Sequence, residues 1–494
     1  MPFLYSSDDL SEKDRFIARA CQSFFNLLSS ALSDELFGQQ PFSASELSSF
    51  FSDIRYAQQE ASRIALQEFL QSKDPDTPTF LHEGTHLRRK TRSIKEFHTP
   101  FGIITLKRSL YYDPKENAPA YAPLDQFWGM VEHNISPDLA ELILLTSTDS
   151  TPKKVAQILE KGLSIPISKD FVYSTIQEEG RQIHEQVMET CQAEIANPEI
   201  PQSTEVVAVS FDGANIPLRE EGKGRGRPHE RPHLKEENQT ESTRSCYKNA
   251  MVGAVSFYQP GSMIRFKTAE EEFYPIRLGG TYLATMPEEG YPTFKEQIER
   301  TCNYLEPQIE AMGIETKILL LDGGKPLWSY VNESGYFEDY DYKVLDYYHA
   351  MEHLSNLARA LFGKKKEGSR RWYKKWASKI KRERGGVCKM LASALWHKGG
   401  GRYGKTREEE IEKEEGFFRR NQGLMNYAEL VEKGYPIGSG PVEAACKTIV
   451  KSRMCRSGMR WNRESGQNVL TLRAIDQSGV WGKIWENYLE TRWG

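Results

Sequence analysis

The chain lacks the features that would place it in several large classes. None of its seven cysteines forms a C-x-x-C pair, which gives no disulfide framework and no thiolate zinc site and fits a reducing compartment. No apolar run approaches the ~20 residues of a membrane-spanning helix. The first residues, Met1-Pro-Phe-Leu-Tyr-Ser-Ser-Asp-Asp, lack a basic stretch followed by an apolar one. A soluble cytoplasmic, nucleoid-associated chain with no membrane partner is expected. The net charge is only −4, so the chain is not basic throughout. Charge is segregated instead: residues 364–384 hold eleven Lys/Arg against two Glu, while 408–415 hold six Glu. Local contact with a polyanion therefore remains open.

The 494 residues suffice for about two to four domains. Residues 11–72 carry apolar side chains at helical spacing, through Phe24, Phe25, Leu27 and Leu28 and again through Ile64, Ala65 and Phe69. His98–Tyr112 reads as one strand of a β-ribbon with Pro100 and Gly102 at its start, and Arg88, Arg89, Lys90 and Arg92 lie upstream. Three helices are expected over 136–190, opened by Ser136-Pro137, Thr151-Pro152 and Ser168. The last two fit either a DNA-reading helix-turn-helix or an ordinary helical hairpin, which is commoner. Residues 219–248 are polar and glycine-rich and read as a charged loop. Its His229 and His233 are not taken as metal ligands, because Pro232 breaks the helix that would align them.

Beyond the loop come strands at 251–258 and 281–285, a helix over 294–312, strands at 317–322 and 344–346, and a helix over 349–362. With the strand before Asp212, that order predicts an α/β fold: an RNase H-like mixed sheet, with a helical insertion and a largely helical amino-terminal region bearing a short β-ribbon. The expected organisation is 1–130 helical with the ribbon, 131–200 helix-turn-helix-like, 201–362 first part of the core, 363–434 basic helical insertion, and 435–494 second part of the core with closing helices.

Three segments carry the chemistry. Val206-Val-Ala-Val-Ser-Phe-Asp212 and Ile318-Leu-Leu-Leu-Asp322 are apolar strands that each deliver an Asp at the carboxyl end. Pro436-Ile-Gly-Ser-Gly-Pro441-Val-Glu443 is a Gly-rich turn opening a helix with a Glu in its first turn. Taken singly, Asp-Gly is common turn punctuation, and a Glu near a helix start is favoured by the dipole. Together they suit a site for Mg²⁺ (or Mn²⁺), a hard cation that takes one or two carboxylates alongside substrate phosphates. Two such ions about 3.5–4 Å apart serve in-line phosphodiester displacement.

Asp346-Tyr-Tyr-His349-Ala-Met-Glu352-His353 admits three readings. Asp346 and His349 form a D-x-x-H pair beside the second metal Asp; Glu352 and His353 lie on a solvated helix face; or H-x-x-E-H is a zinc-protease signature. Lys447, Lys451, Arg453, Arg456, Arg460 and Trp461 form a basic run after Glu443, suited to a phosphate backbone. In the 364–384 run, Trp372, Tyr373 and Trp376 alternate with cations including Lys374, Lys375 and Lys379. A charge run is usually a solvated face; interleaved aromatics favour stacking on nucleic acid.

The strand-end Asp residues, the D-x-x-H segment, the Gly438–Lys447 turn and helix, and the tail Arg456-Ser-Gly-Met-Arg460-Trp461 with Gln467–Ala474 together resemble bacterial insertion-sequence transposases of the ISKra family. These are DDE transposases with Mutator-like relatives. The resemblance is specific over 205–480 and looser upstream, at Phe101–Arg108 and Pro123-Leu-Asp. Relatives often carry paired cysteines between those two pieces; this chain has none there. The resemblance implies that Asp212, Asp322 and Glu443 hold two metal ions, that His349 lies near the scissile phosphate with Asp346 behind, and that the partners are duplex DNA and further copies of the chain. The competing classes are a transposase-derived DNA-binding regulator without catalysis and a zinc protease built on His349, Glu352 and His353.

Overall fold

The computed structural model describes residues 11–31, 43–115, 119–131, 133–188, 199–219, 247–261, 263–265, 271–363, 366–401 and 403–492. The 219–248 loop, with His229 and His233, lies almost wholly outside them. The chain forms two compact units, Met1–Gly180 with Trp485–Gly494, and Arg181–Ile484. Among the described residues no helix is long and apolar enough to cross a membrane.

In the first unit, helices Glu12–Ala31 and Ala44–Gln71 precede a three-stranded antiparallel sheet of β1 (Thr79–His82), β2 (Thr85–Thr99) and β3 (Gly102–Tyr112). The ribbon strand expected from His98 begins at Gly102 instead, and residues 98–101 form the tip of the hairpin. Pro100 lacks the N–H a ladder needs, and Gly102 takes φ +112°, so the chain reverses there. Arg88, Arg89, Lys90 and Arg92 therefore lie within β2. The outer edge of β3 is covered: Gln67 accepts from the Thr105 N–H at 2.9 Å, and Gln71 accepts from the Lys107 N–H and donates to its carbonyl, both at 2.7 Å. Satisfying those groups blunts an edge strand. Helices Pro137–Asp149 and Pro152–Leu163 start at Ser136 and Thr151, whose hydroxyls accept from backbone N–H groups of the first turn, with Pro next.

The second unit is built on a five-stranded sheet. Its strands are β4 (Val206–Pro217), β5 (Tyr247–Gln259), β8 (Ile276–Thr285), β9 (Thr316–Leu321) and β10 (Tyr342–Leu345), in spatial order β10-β9-β4-β5-β8. The β4–β5 and β5–β8 pairs are antiparallel, and β4–β9 and β9–β10 are parallel. A short hairpin, β6 (Met263–Arg265) and β7 (Glu271–Phe273), and a helix, Lys325–Ser334, are present beyond the expected elements. The fold is mixed α/β.

Strand alternation divides the core. Val207, Val209 and Phe211 of β4 join Leu319 and Leu321 of β9 under helix Pro292–Ala311 on one face. Val206, Ala208, Ile318, Leu320 and Val344 face the other way, against helix Tyr347–Phe362. The 363–434 stretch is helical over Glu367–Arg382, Gly386–Gly400, Lys405–Asn421 and Tyr427–Glu432. Its inner side chains, Trp372, Trp376, Met390, Ile411 and Phe418, share the apolar cluster of that second face. It is thus packed onto the sheet layer and has no core of its own.

Candidate active site

The strand registers align the acids. Ser210 pairs with Leu320, which brings Asp212 level with Asp322 two residues on in each strand. Leu321 pairs with Leu345, which brings Asp346 level with Asp322. Three Asp residues thus form a row. Asp322 and Asp346 directly follow the carboxyl ends of β9 and β10, whereas Asp212, expected at a strand end, lies within β4, which continues to Pro217 in pairing with β5. Neighbouring strands lie about 4.8 Å apart. Asp212 shares the face of Ala208 and Ala214. Ala214 and Ile216 of that face pack against Val442, Ala445, Cys446, Ile449 and Val450 of the helix bearing Glu443. Asp212 and Glu443 therefore lie on one side of the sheet.

The three Asp residues differ in their surroundings. Asp346 is fully buried. Its carboxylate accepts from the His349 N–H at 2.7 Å, capping helix Tyr347–Phe362, and from the Ser439 N–H and hydroxyl, the latter at 2.9 Å. The Tyr347 N–H donates to the Ile437 carbonyl at 2.9 Å. These bonds fasten the Gly-rich turn, and hence Glu443, to the strand ends. Gly438 is required there: a Cβ would come within 2.8 Å of the Tyr348 ring.

Asp212 and Asp322 are only half-buried. Asp322 accepts from the Gly324 N–H at 2.9 Å, and Asp212 from the Gly213 N–H at 2.6 Å and the Cys446 thiol at 3.7 Å. Burial pushes the Asp212 carboxyl above its usual range against the pull of the Gly213 N–H; the charge of Asp322 adds to the rise, and Cys446 and Lys451 oppose it. Glu443 is raised too, by burial first and then by the charge of Asp346, with Lys447 opposing and Asp212 and Glu352 adding. The acids thus share one field of negative potential, which favours a cation. Oxygen donors of this kind suit Mg²⁺ or Mn²⁺. Among the described residues, no three His, Cys, Asp or Glu side chains stand close enough together to form a ready-made metal cage.

The two histidines part company. A Cβ on Gly323 would lie 3.1 Å from His349 Nε2 and 2.8 Å from Phe417, so the His349 ring rests on the residue following Asp322. His353 bonds Glu414 through Nδ1 and stacks on Phe417 with centroids 3.6 Å apart. It belongs to the packing of helix Lys405–Asn421: its ring lies 5.0 Å from that of His349, but its Nδ1 is taken by Glu414, and Glu352 is exposed.

The basic candidates also divide. Lys374, Lys375, Lys447, Lys451, Arg456 and Arg460 are exposed. Lys379 pairs with Glu383 at 2.9 Å and lies over Trp376. Arg453 is a correction: it is 2 % exposed, its guanidinium lies 4.9 Å from the Trp461 ring, and it is not placed to meet a phosphate. Trp461 is corrected with it. Its indole N–H donates to the Met454 carbonyl at 3.0 Å and its ring packs on the Ile449–Met454 cluster. Trp372 and Trp376 are buried as well, so neither is a stacking platform.

Cys446, Ser439 and Arg473 are the residues that sequence reasoning did not single out. The first two stand inside the Gly438–Lys447 segment, so proximity to Glu443 was the available signal. No family model and no curated protein matches this chain. Among solved structures, the strand transfer complex of the Drosophila P element transposase is similar at 12% identity and TM-score 0.24, covering 73% of this chain and 83% of that one. So loose a superposition bears on neither fold nor function.

Proposed function

We propose that this chain is a DDE transposase of the ISKra kind, acting on duplex DNA at the ends of an insertion sequence. The observation that carries the reading is the level placement of Asp212 and Asp322 on adjacent parallel strands, with Glu443 on the same side of the sheet. The sheet order, with three antiparallel strands followed by two parallel ones on the other side of the first, supports an RNase H-like core. Two divalent ions held by Asp212, Asp322 and Glu443 would activate the attacking oxygen and stabilise the leaving one. The residues themselves supply the negative potential and the orientation. Asp346 fixes the turn that carries Glu443, and His349, whose ring rests on Gly323 next to Asp322, would contact a phosphate oxygen or a leaving group.

In the proposed reaction, water displaces the 3′ oxygen of a phosphodiester at the element end and frees a 3′-OH. That hydroxyl then displaces a 3′ oxygen in target DNA. Exposed Lys447, Lys451, Arg456 and Arg460 flank the site, and Lys374 and Lys375 extend the cationic surface for backbone contact. Two or more copies of the chain would hold paired ends.

The test uses purified protein, Mg²⁺ or Mn²⁺, and duplexes carrying the inverted repeats that flank the source gene. Strand cleavage with a new 3′-OH is expected. Asp212→Asn, Asp322→Asn and Glu443→Gln should each lower it by about 10²-fold or more, as loss of a preorganised charge does, while leaving DNA binding largely intact. Cleavage retained in any one variant removes that residue from the site; no cleavage by the unaltered chain removes the proposal.

A further inference from the structure

The helix that carries Glu443 is not uniform. Gly440–Ala445 is α-helical, Cys446–Lys451 is π-helical, and Ser452–Met454 returns to α. A π-turn runs its hydrogen bonds from i to i+5, one residue wider than an α-turn, and such turns are frequent at functional sites. The width has a direct consequence here. Cys446 and Lys451 both act on Asp212, the first by a thiol hydrogen bond and the second by its charge. At 3.6 residues per turn, positions five apart point about 140° away from each other. A turn closed from i to i+5 brings them to nearly the same side. Glu443 precedes Cys446 by three residues and shares that side. The wide turn therefore lets one helix present all three groups toward Asp212.

Where the hydrogen-bond register changes, backbone carbonyls lose regular partners and need others when buried. Arg473, on helix Arg463–Ser478, is one such partner for two carbonyls of this stretch, and the Ser452 hydroxyl also donates to that of Thr448. Its Nε donates to the Ile449 carbonyl at 2.6 Å, and its Nη2 donates to the Thr448 carbonyl and to the Ser452 hydroxyl at 2.8 Å. Arg473 is 7 % exposed. A guanidinium offers five donors in a rigid fork and keeps its charge, so one side chain serves both carbonyls.

We infer that Arg473 is a positioning residue: it holds the π-turn of Cys446–Lys451 and thereby sets Glu443 and Lys451 around Asp212. Its catalytic consequence rests on the function proposed above; its structural link to the turn does not.

The test therefore has two arms, with the full chain and Arg473→Lys, which keeps the charge but loses the fork. In the first, thiols are pulse-labelled with N-ethylmaleimide and mapped by mass spectrometry. Cys446 and Cys302 are both buried, in different clusters, so Cys302 reports general loosening. Arg473→Lys should label Cys446 at least about tenfold faster, a local opening, with Cys302 unchanged. Equal acceleration of both thiols, or none of either, overturns the inference. In the second arm, Arg473→Lys should need more Mg²⁺ for half-maximal strand cleavage, and Arg473→Ala should regain cleavage with added guanidinium ion but not with tetramethylammonium. Unchanged metal dependence in Arg473→Lys overturns the catalytic role. If the unaltered chain cleaves nothing, the proposed function fails, and the thiol arm still decides whether Arg473 holds the turn.

Discussion

The row of Asp residues and the basic helix Glu367–Arg382 looked alike as functional signals, and the fold treats them differently. In the row, Asp212 and Asp322 are half-buried and their immediate partners are backbone N–H groups and a thiol. In the basic helix the large apolar residues turned inward: Trp372, Trp376 and Ile380 are buried at i, i+4 and i+8, and Lys374 and Lys375 between them face out. An Asp within or just after a run of apolar strand residues has no packing reason to be there. An aromatic at helical spacing has one, even amid lysines, because a helix needs an apolar stripe to dock. Residue type in a local pattern therefore says less about function than whether packing already explains it.

The largest effect that can break this comparison lies at Asp346, the one acid of the row that packing does explain. Asp346→Ala removes a helix cap and the anchor of the Ser439 turn. It should cost about 2–3 kcal/mol of stability and lose strand cleavage as well. Asp322→Ala, at the same level of the sheet, should lose cleavage with little change in denaturant midpoint. Similar midpoints for the two variants would put Asp346 on the same footing as Asp322.

Next come the histidines. His349→Ala should cut cleavage at least about tenfold, in line with loss of a proton-transferring or orienting group, with little loss of stability. His353→Ala should do the reverse, since it removes a stacked ring and a Glu414 partner worth about 1 kcal/mol together. Cleavage rates and thermal midpoints of both variants, measured side by side, check this. Equal cleavage losses would return His353 to the site.

The cations give a smaller, graded effect. Each phosphate contact contributes about 0.9 to the slope of log K against log salt. Lys374→Ala and Lys375→Ala should each flatten that slope, and Lys379→Ala should flatten it less, because Lys379 is already engaged in an ion pair with Glu383. A slope unchanged in all three would make the helix face merely solvated.

Much of the second unit was legible because strands, caps and breaks are local. The five sheet strands, the helix after Asp346 and the Pro441 helix start all follow from β-branched runs and capping residues. The β-ribbon was expected, but its turn at Pro100 and its partner strand over Thr85–Thr99 were not placed, because nothing local marks a two-residue turn between two extended stretches. Arg453 was misjudged because a cation–π contact with Trp461 depends on how residues eight apart pack. Arg473 stood in the Gln467–Ala474 motif without a role for a similar reason: its partners, the carbonyls of Thr448 and Ile449, lie on another helix in a π-turn, and no sequence period announces one.

The finest distinction between the two regions is electrostatic, and pH reads it. Burial and the charge of Asp322 raise the Asp212 carboxyl above its ordinary value. Between the ordinary value and the raised one, the folded chain binds more protons than the unfolded one, so stability falls as pH climbs through that window. The stabilising share of Asp212 is complete below the ordinary aspartate range and lost at neutral pH. Asp212→Asn removes the penalty. The variant should be more stable than the unaltered chain at pH 7, by about 0.5–2 kcal/mol, the scale at which strained functional residues are relieved. The difference should shrink as pH drops below about 4. Added Mg²⁺ should narrow it at neutral pH, since a bound cation offsets the repulsion only where Asp212 is present to hold it. Lys374→Gln, on the solvated face, should show no such pH-dependent gain. Thermal midpoints of the three proteins at pH 4 and pH 7, with and without Mg²⁺, decide it: an Asp212→Asn variant no more stable at pH 7 than the unaltered chain would mean that the row carries no stored repulsion for a cation to relieve.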